Sequence, residues 1–87
     1  MDVLSARVGT GEPTRMHRVS VSVVVPLFNE EEVLPDFHRR LGAVLDAIDA
    51  DSEIVYVNDG SSDRTMALLT EIHARDARVA VIELSRN

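Results

Sequence analysis

Residues 21–31 read VSVVVPLFNEE and residues 54–63 read IVYVNDGSSD, and these two stretches decide the fold. In each of them a run of β-branched and apolar residues is followed directly by polar, turn-forming residues, as in a buried strand that ends in a loop. We predict a first strand from residue 19 to 25, which Pro26 ends because proline lacks a backbone donor. The second strand is predicted over residues 54–57.

The segment between the two strands changes to the period of a helix. One stripe of this helix holds the apolar residues Val33, Leu34, Phe37, Leu41, Val44, Leu45 and Ile48. Regular helix is expected to begin near Glu31 or Glu32, because Pro35 inside the second turn of an earlier helix would cost a hydrogen bond. The stripe is expected to cover the sheet and to belong to the core.

A second helix and a third strand follow. Ser62 or Asp63 is expected to cap the helix, which ends near Asp76, and residues 79–84 form the third apolar run. The order β-α-β-α-β predicts an α/β, Rossmann-like parallel sheet with right-handed crossovers and strand order 3-2-1. In such a three-stranded sheet the first strand is unpaired on its far side.

The chain is expected to divide near residue 18. Residues 1–18 mix Gly, Pro, Thr and Arg without periodicity, which predicts a flexible N-terminal arm. Residues 19–87 are expected to form part of one larger domain, truncated because the sequence stops directly after a strand.

Composition limits the possible functions. The 87 residues are 45% hydrophobic and 28% charged, which is ordinary for a folded domain. Nine arginines, no lysine and 15 acidic residues give a net charge of -6 without a basic cluster, so a nucleic-acid partner is not expected. The absence of cysteine excludes disulfides and cysteine-ligated zinc. No apolar run reaches the roughly 20 residues of a membrane-spanning helix, and a cytoplasmic location is the default expectation.

Polar residues follow each predicted strand. In open parallel sheets, ligands bind outside the carboxyl ends of the strands. The loops at those ends span residues 26–30, 58–62 and 85–87. A carboxylate such as Asp59 can accept from a base N–H or from ribose hydroxyls, Gly60 permits close approach of the backbone, and Arg86 can face a phosphate. The alternative is that Asn-Asp-Gly-Ser is only a turn followed by a helix cap.

Other site patterns are weak or absent. Asp49-Ala50-Asp51 has the spacing of a metal-binding Asp-x-Asp, but it enters the second strand at the opposite end of the sheet and is interpreted as a turn. The three histidines, His17, His38 and His73, lack metal-ligand spacing. A dinucleotide site would need Gly-x-Gly-x-x-Gly after the first strand, and a P-loop would need a lysine. A receiver-like signalling module is also a poor match, because the third strand ends in Leu-Ser-Arg-Asn.

The two opening stretches, about 30 residues apart, and the closing Glu-Leu-Ser-Arg-Asn together resemble family 2, GT-A-fold glycosyltransferases. The similarity is greatest to dolichol-phosphate mannose synthases and bacterial polyprenyl-phosphate glycosyltransferases. The resemblance covers residues 19–87.

The resemblance implies that the parent protein moves a hexose from a UDP- or GDP-sugar to a polyprenyl phosphate at the cytoplasmic membrane face, with inversion. The lipid phosphate would be the nucleophile, so no catalytic residue is assigned in this chain. By motif, Pro26, Asn29, Glu30, Asp59 and Gly60 would bind the nucleotide, with Arg86 at the rim of the pocket. Asn58 stands where many relatives have Asp, which leaves its role open.

The family's Asp-x-Asp, which holds Mg²⁺ or Mn²⁺ on the diphosphate, has no counterpart in these 87 residues at the expected place. The isolated chain is therefore expected to be inactive. The alternative from a non-enzyme class is a nucleotide-binding remnant that folds and binds weakly but catalyses nothing.

Overall fold

The computed structural model describes residues 5–9, 19–48 and 50–84. Its elements are β1 (Ser5–Gly9), β2 (Val19–Leu27), α1 (Leu34–Asp46), β3 (Ala50–Asp59), α2 (Thr65–Arg75) and β4 (Val79–Leu84). Arg86 and Asp49, both considered in the sequence, lie outside the described residues.

The strands form one sheet in the order β1-β2-β3-β4. Strands β2, β3 and β4 are parallel, with α1 and α2 as the crossovers between them. The predicted Rossmann-like β-α-β-α-β arrangement and its strand order are therefore confirmed. Strand β3 begins at Ala50, four residues before the predicted start, so the interpretation of Ala50 and Asp51 as a turn is wrong. Both residues lie at the amino end of the sheet, opposite the loops of interest, as predicted.

Strand β1 corrects the expectation that the first parallel strand has a bare edge. Ser5–Gly9 pairs antiparallel with β2, with Ser5 opposite Val24 and Gly9 opposite Ser20. Unpaired N–H and C=O groups at a strand edge attract any extended segment of suitable sequence, and this one comes from the predicted arm. The prediction of a loose arm was thus wrong about the backbone of Ser5–Gly9.

The core lies between the helices and one face of the sheet. Strands β2 and β3 alternate between this face and the other, as the strand period requires. The buried apolar residues are Val23, Val25, Leu27, Leu34, Leu45, Ile54, Tyr56, Leu69 and Val79. On the opposite face, Ile82 and Leu84 of β4 remain 48% and 46% exposed.

Helix α1 begins later than the sequence predicts. It starts at Leu34, which puts Pro35 in the first turn, where no intrahelical hydrogen bond is lost. The predicted apolar stripe is also too wide, because Val33, Val44 and Ile48 are exposed. Val44 lies about a quarter turn from the line through Leu34 and Leu45, while Val33 and Ile48 flank the helix.

A hydrogen-bonded junction ties α1 to the sheet. His38 Nδ1 lies 2.8 Å from the hydroxyl of Tyr56 in β3, and His38 Nε2 lies 3.1 Å from Asp76 Oδ2 in the turn before β4. Because a carboxylate only accepts, His38 Nε2 carries the proton and, in the neutral ring, Nδ1 accepts from Tyr56. The junction is largely buried, with Tyr56 fully so.

Asp76 extends the junction to β4. Its carboxylate accepts from the backbone N–H, Nε and Nη2 of Arg78, each at 3.0 Å, while Arg78 Nη1 donates to Asp46 of α1. Hydrogen bonds from Arg78 lower the pKa of Asp76 to about 2 against the opposing effect of burial. Burial, together with the charge of Asp76, raises the pKa of Tyr56.

Candidate functional site

The loops after β2 and β3 meet at the carboxyl edge of the sheet. Leu27, the last residue of β2, is in register with Asn58 of β3, so the two following loops start side by side. The structure thus brings Asn29, Glu30 and Gly60 together at one edge, as the parallel topology predicts.

Asn29 joins the first loop to the second. Its backbone is left-handed, with a φ of 51°, a conformation that Asn tolerates better than most residues. Its N–H donates to Ser61 Oγ at 3.0 Å, and its Oδ1 accepts the N–H of Ser62 at 2.8 Å. Gly60, with a φ of 70°, makes the turn that presents these serines.

Asn58 and Asp59 are adjacent but have different surroundings. Asn58 is 1% exposed on the helix-covered face, where its Oδ1 accepts from Ser61 Oγ at 2.5 Å. Because successive residues of a strand face opposite ways, Asp59 lies towards the other face, half-buried at the end of β3. Asn58 is therefore part of the support for the loops, while Asp59 remains the candidate to meet a ligand.

A second set of contacts holds Glu30 and Glu31. The N–H of Glu30 donates to Thr65 Oγ1 at 2.9 Å, and the N–H of Glu31 donates to Asp63 Oδ2 at 3.2 Å. Asp63 Oδ1 also accepts from the N–H and hydroxyl of Thr65, at 2.9 and 2.5 Å. The N-cap position is Arg64, which makes no side-chain cap hydrogen bond, so the prediction of Ser62 or Asp63 as the cap is wrong in position. Asp63, one residue earlier, nevertheless accepts from Thr65 in the first turn of α2.

The pKa of Asp63 reflects these contacts. Desolvation raises it, but the hydrogen bonds from Thr65 and from the N–H of Glu31 outweigh that effect and leave it below its ordinary value. Asp63 is therefore charged at neutral pH and can serve as a permanent acceptor.

A pocket of about 190 Å³ opens beside these contacts. Its lining residues are Asn29, Glu30, Glu31, Glu32, Val33 and Asp63. Carboxylate and amide oxygens dominate this lining, and such groups accept hydrogen bonds from N–H and hydroxyl donors. The same negative charge disfavours a bare phosphate. The pocket is therefore suited to a ligand group that donates hydrogen bonds.

The remaining predicted site residues lie outside this pocket. Pro26 pairs with Val57 inside the sheet, so the prediction that Pro26 ends the strand is wrong and β2 continues two residues beyond the predicted end. Asp59 and Gly60 share the carboxyl edge without lining the pocket. The prediction for Arg86 falls on a residue outside the described part of the chain.

Sequence reasoning gave no site role to the residues that support the loops. The sequence predicts a turn at Ser61 and a helix cap at Asp63, and it gives no role to Thr65. The spacing Asp-x-Thr at a helix start carries the signal, because it places a carboxylate and a hydroxyl beside backbone donors. Their partners on the other loop, the N–H groups of Asn29, Glu30 and Glu31, could not be identified without the fold.

Two features are absent from the residues that the structure describes: a cluster of metal ligands and a membrane-spanning helix. Within residues 5–9, 19–48 and 50–84, no group of three or more His, Asp or Glu side chains is arranged to hold a metal ion. In the same ranges, neither helix is long and apolar enough to span a membrane.

Comparisons with known proteins match this site-bearing part of the chain. An uncharacterized glycosyltransferase, YkcC, of Bacillus subtilis is 42% identical over 69 residues, which are 79% of this chain and 21% of that protein. The undecaprenyl-phosphate 4-deoxy-4-formamido-L-arabinose transferase of Sodalis glossinidius is 41% identical over 75 residues, 85% of this chain and 23% of that protein.

A prophage bactoprenol glucosyl transferase homolog of Escherichia coli is 35% identical over 69 residues, 79% of this chain and 22% of that protein. The chain thus spans about a fifth of the length of these relatives. The profile of Glycosyl transferase family 2 matches residues 22–87, which include both loops of the site. The chain belongs to glycosyl transferase family 2.

Proposed function

We propose that this chain is the nucleotide-binding portion of an inverting glycosyltransferase that moves a hexose from a UDP- or GDP-sugar to a polyprenyl phosphate. Family membership over residues 22–87 supports transfer of a sugar from an activated donor. Two relatives are named for undecaprenyl-phosphate or bactoprenol as acceptor, which supports a polyprenyl phosphate here. The acceptor then places the working protein at the cytoplasmic face of the membrane.

One structural observation carries the proposal: the loops after β2 and β3 are hydrogen-bonded to each other at the carboxyl edge of the sheet. The contacts of Asn29 with Ser61 and Ser62 join the two loops through the chain's own groups. A ligand that binds a fixed edge does not have to order the loops, so more of its contact energy remains as affinity.

Each proposed binding residue has a chemical task. Glu30 and Asp59 accept hydrogen bonds from the base or the ribose, and Asn29 shapes the loop between them. Gly60 has no side chain to obstruct the ligand, and Pro26 stiffens the end of β2. Arg86 is proposed at the rim, where a guanidinium can face the diphosphate.

The transfer reaction itself depends on the acceptor's phosphate and on a divalent cation, and none of the proposed binding residues acts as the nucleophile. The nucleophile is the acceptor's phosphate oxygen, which attacks the anomeric carbon as the bond to the nucleoside diphosphate breaks. Mg²⁺ or Mn²⁺ is proposed for the parent enzyme, where it would neutralise charge on the leaving diphosphate. Among the residues that the structure describes, no group of three or more His, Asp or Glu side chains is arranged to hold that ion.

Titration of UDP and GDP into the wild-type chain and into Asp59→Ala tests the binding assignment. We expect the substitution to weaken binding of the preferred nucleotide about tenfold, the effect of one lost hydrogen bond to a charged group. Asp51→Ala is the matched control, because Asp51 is an exposed carboxylate at the other end of β3. Equal affinity of wild type and Asp59→Ala would show that Asp59 does not bind the nucleotide.

A transfer assay tests whether the chain alone supplies more than the nucleotide-binding part. With labelled UDP-glucose or GDP-mannose and a polyprenyl phosphate, we expect the 87-residue chain to bind donor without forming glycolipid. Turnover by the chain alone would contradict the proposal that it supplies only the nucleotide-binding part.

A further inference from the structure

Thr65 makes a contact that links the start of α2 to the pocket. We propose that Thr65, supported by Asp63, is a positioning residue that fixes Glu30 for nucleotide binding. This inference rests on the proposed function, because Glu30 is taken to be one of the ligand's acceptors. Thr65 itself is fully buried and acts through Glu30 without touching the ligand.

The Thr65 hydroxyl makes two opposite hydrogen bonds at once. It accepts the N–H of Glu30 at 2.9 Å and donates its own proton to Asp63 Oδ1 at 2.5 Å. Donation to a charged carboxylate increases the electron density on the hydroxyl oxygen, and linked hydrogen bonds of this kind strengthen one another. Asp63 thus orients the hydroxyl so that its lone pairs face the loop.

The backbone of Glu30 is held on both sides. Its N–H is bound by Thr65, while its C=O accepts from the N–H groups of Val33 and Leu34, at 3.2 and 3.0 Å, where α1 begins. With both peptide groups fixed, the Cα–Cβ direction of Glu30 is fixed too, and its side chain lines the pocket. Loss of the Thr65 contact would free one side of this arrangement.

A hydroxyl is required at this position. Valine has the shape of threonine but neither donates nor accepts, so it would leave the N–H of Glu30 without its acceptor. Serine retains the hydroxyl and loses only a methyl group. Thr65→Val and Thr65→Ser therefore separate the hydrogen-bonding role from the packing role of the same side chain.

The experiment measures two quantities on each variant by NMR: hydrogen exchange at the Glu30 amide and affinity for UDP and for GDP. For Thr65→Val we expect Glu30 exchange to be about tenfold faster, relative to core amides, and affinity about tenfold weaker. Thr65→Ser should stay within about threefold of wild type in both. Thr70→Val is the control, because the exposed Thr70 hydroxyl binds only the Met66 carbonyl within α2.

Each outcome decides one question. If Thr65→Val frees the Glu30 amide but binds nucleotide as tightly as wild type, the positioning role is overturned while the proposed function stands. If the wild-type chain binds neither nucleotide, the proposed function and the role of Thr65 fall together.

Asp63→Asn covers the case in which Thr65→Val does not fold. It turns one of the two acceptor oxygens into a donor, so either Thr65 or the N–H of Glu31 loses its partner. Because Asp63 also lines the pocket, affinity at least threefold weaker supports the positioning role only together with faster exchange at the Glu30 amide; unchanged affinity overturns it.

Discussion

The carboxyl-edge loops and the junction around Tyr56 are both held by hydrogen bonds between distant segments, but the partners differ in kind. At the edge, side chains such as Asn29 and Thr65 bind backbone N–H groups of the opposite loop. At the junction, most contacts join side chains to side chains: the hydroxyl of Tyr56 binds His38, and His38 in turn binds Asp76.

The two kinds of hydrogen bond have different structural roles. Bonds to backbone N–H groups dictate the path of a loop, which is what a binding edge needs. Bonds between side chains of α1, β3 and the turn before β4 fix how these elements pack. We therefore expect damage at the junction to lower global stability, and damage at the edge to alter local geometry at a smaller cost.

The largest effect is expected from Asp76→Ala. This change removes the acceptor for His38 and for three donors of Arg78, and we expect a loss of about 2–3 kcal/mol in the free energy of unfolding. Urea denaturation followed by circular dichroism measures it. Asp46→Ala is the control, because Asp46 also binds Arg78 but is 74% exposed, and should cost under about 1 kcal/mol. Similar losses in both variants would remove the distinction between junction and surface.

A smaller effect is expected at Asn29, from a comparison of Asn29→Ala with Asn29→Gly. Both variants lose the acceptor for the Ser62 N–H, and both must adopt the left-handed backbone conformation. Only alanine has a Cβ atom, which makes that conformation energetically costly. We expect Asn29→Ala to be less stable than Asn29→Gly by about 1 kcal/mol in the same denaturation assay. If alanine is tolerated as well as glycine, the loop does not depend on the backbone of Asn29.

The smallest expected effect is a change in how the stability of the fold depends on pH under acidic conditions. The folded-state pKa of Asp76, about 2, lies below that of the unfolded chain, so its contribution is present above about pH 4 and is lost as the pH falls towards 2. Asp76→Asn should therefore flatten the decline of stability between pH 4 and pH 2. The pKa of Asp63 is also lowered, so its contribution to the stability of the carboxyl edge is likewise lost as the pH falls. An identical acid profile for Asp76→Asn and wild type would contradict the assignment.

The sequence predicted what depends on chain order and period. The β-branched run before Pro26 and the run at residues 54–57 required strands, and helices between them required a parallel sheet. Its carboxyl edge then had to collect Asn29, Glu30 and Gly60. These features follow from local pattern plus topology, and the structure agrees with them.

The errors came from contacts between segments far apart in the sequence. Nothing in Ser5–Gly9 indicates that it pairs with β2, because an edge strand is chosen by the partner's open hydrogen-bonding groups. The burial of Asn58 and the use of Thr65 by Glu30 likewise depend on loops that meet only after folding. The prediction that Val44 faces the sheet was wrong, because apolar character alone does not say which side of a wide helical stripe is buried.

The position of Tyr56 gives the chain an internal optical probe. It is the single tyrosine, and there is no tryptophan, so emission excited near 280 nm comes from this one ring. The ring is fully buried, its hydroxyl binds His38 of α1, and its raised pKa keeps the phenol protonated well into the alkaline range. Tyrosine fluorescence therefore reports detachment of α1 from the sheet, without an added label and without interference from ionisation of the phenol.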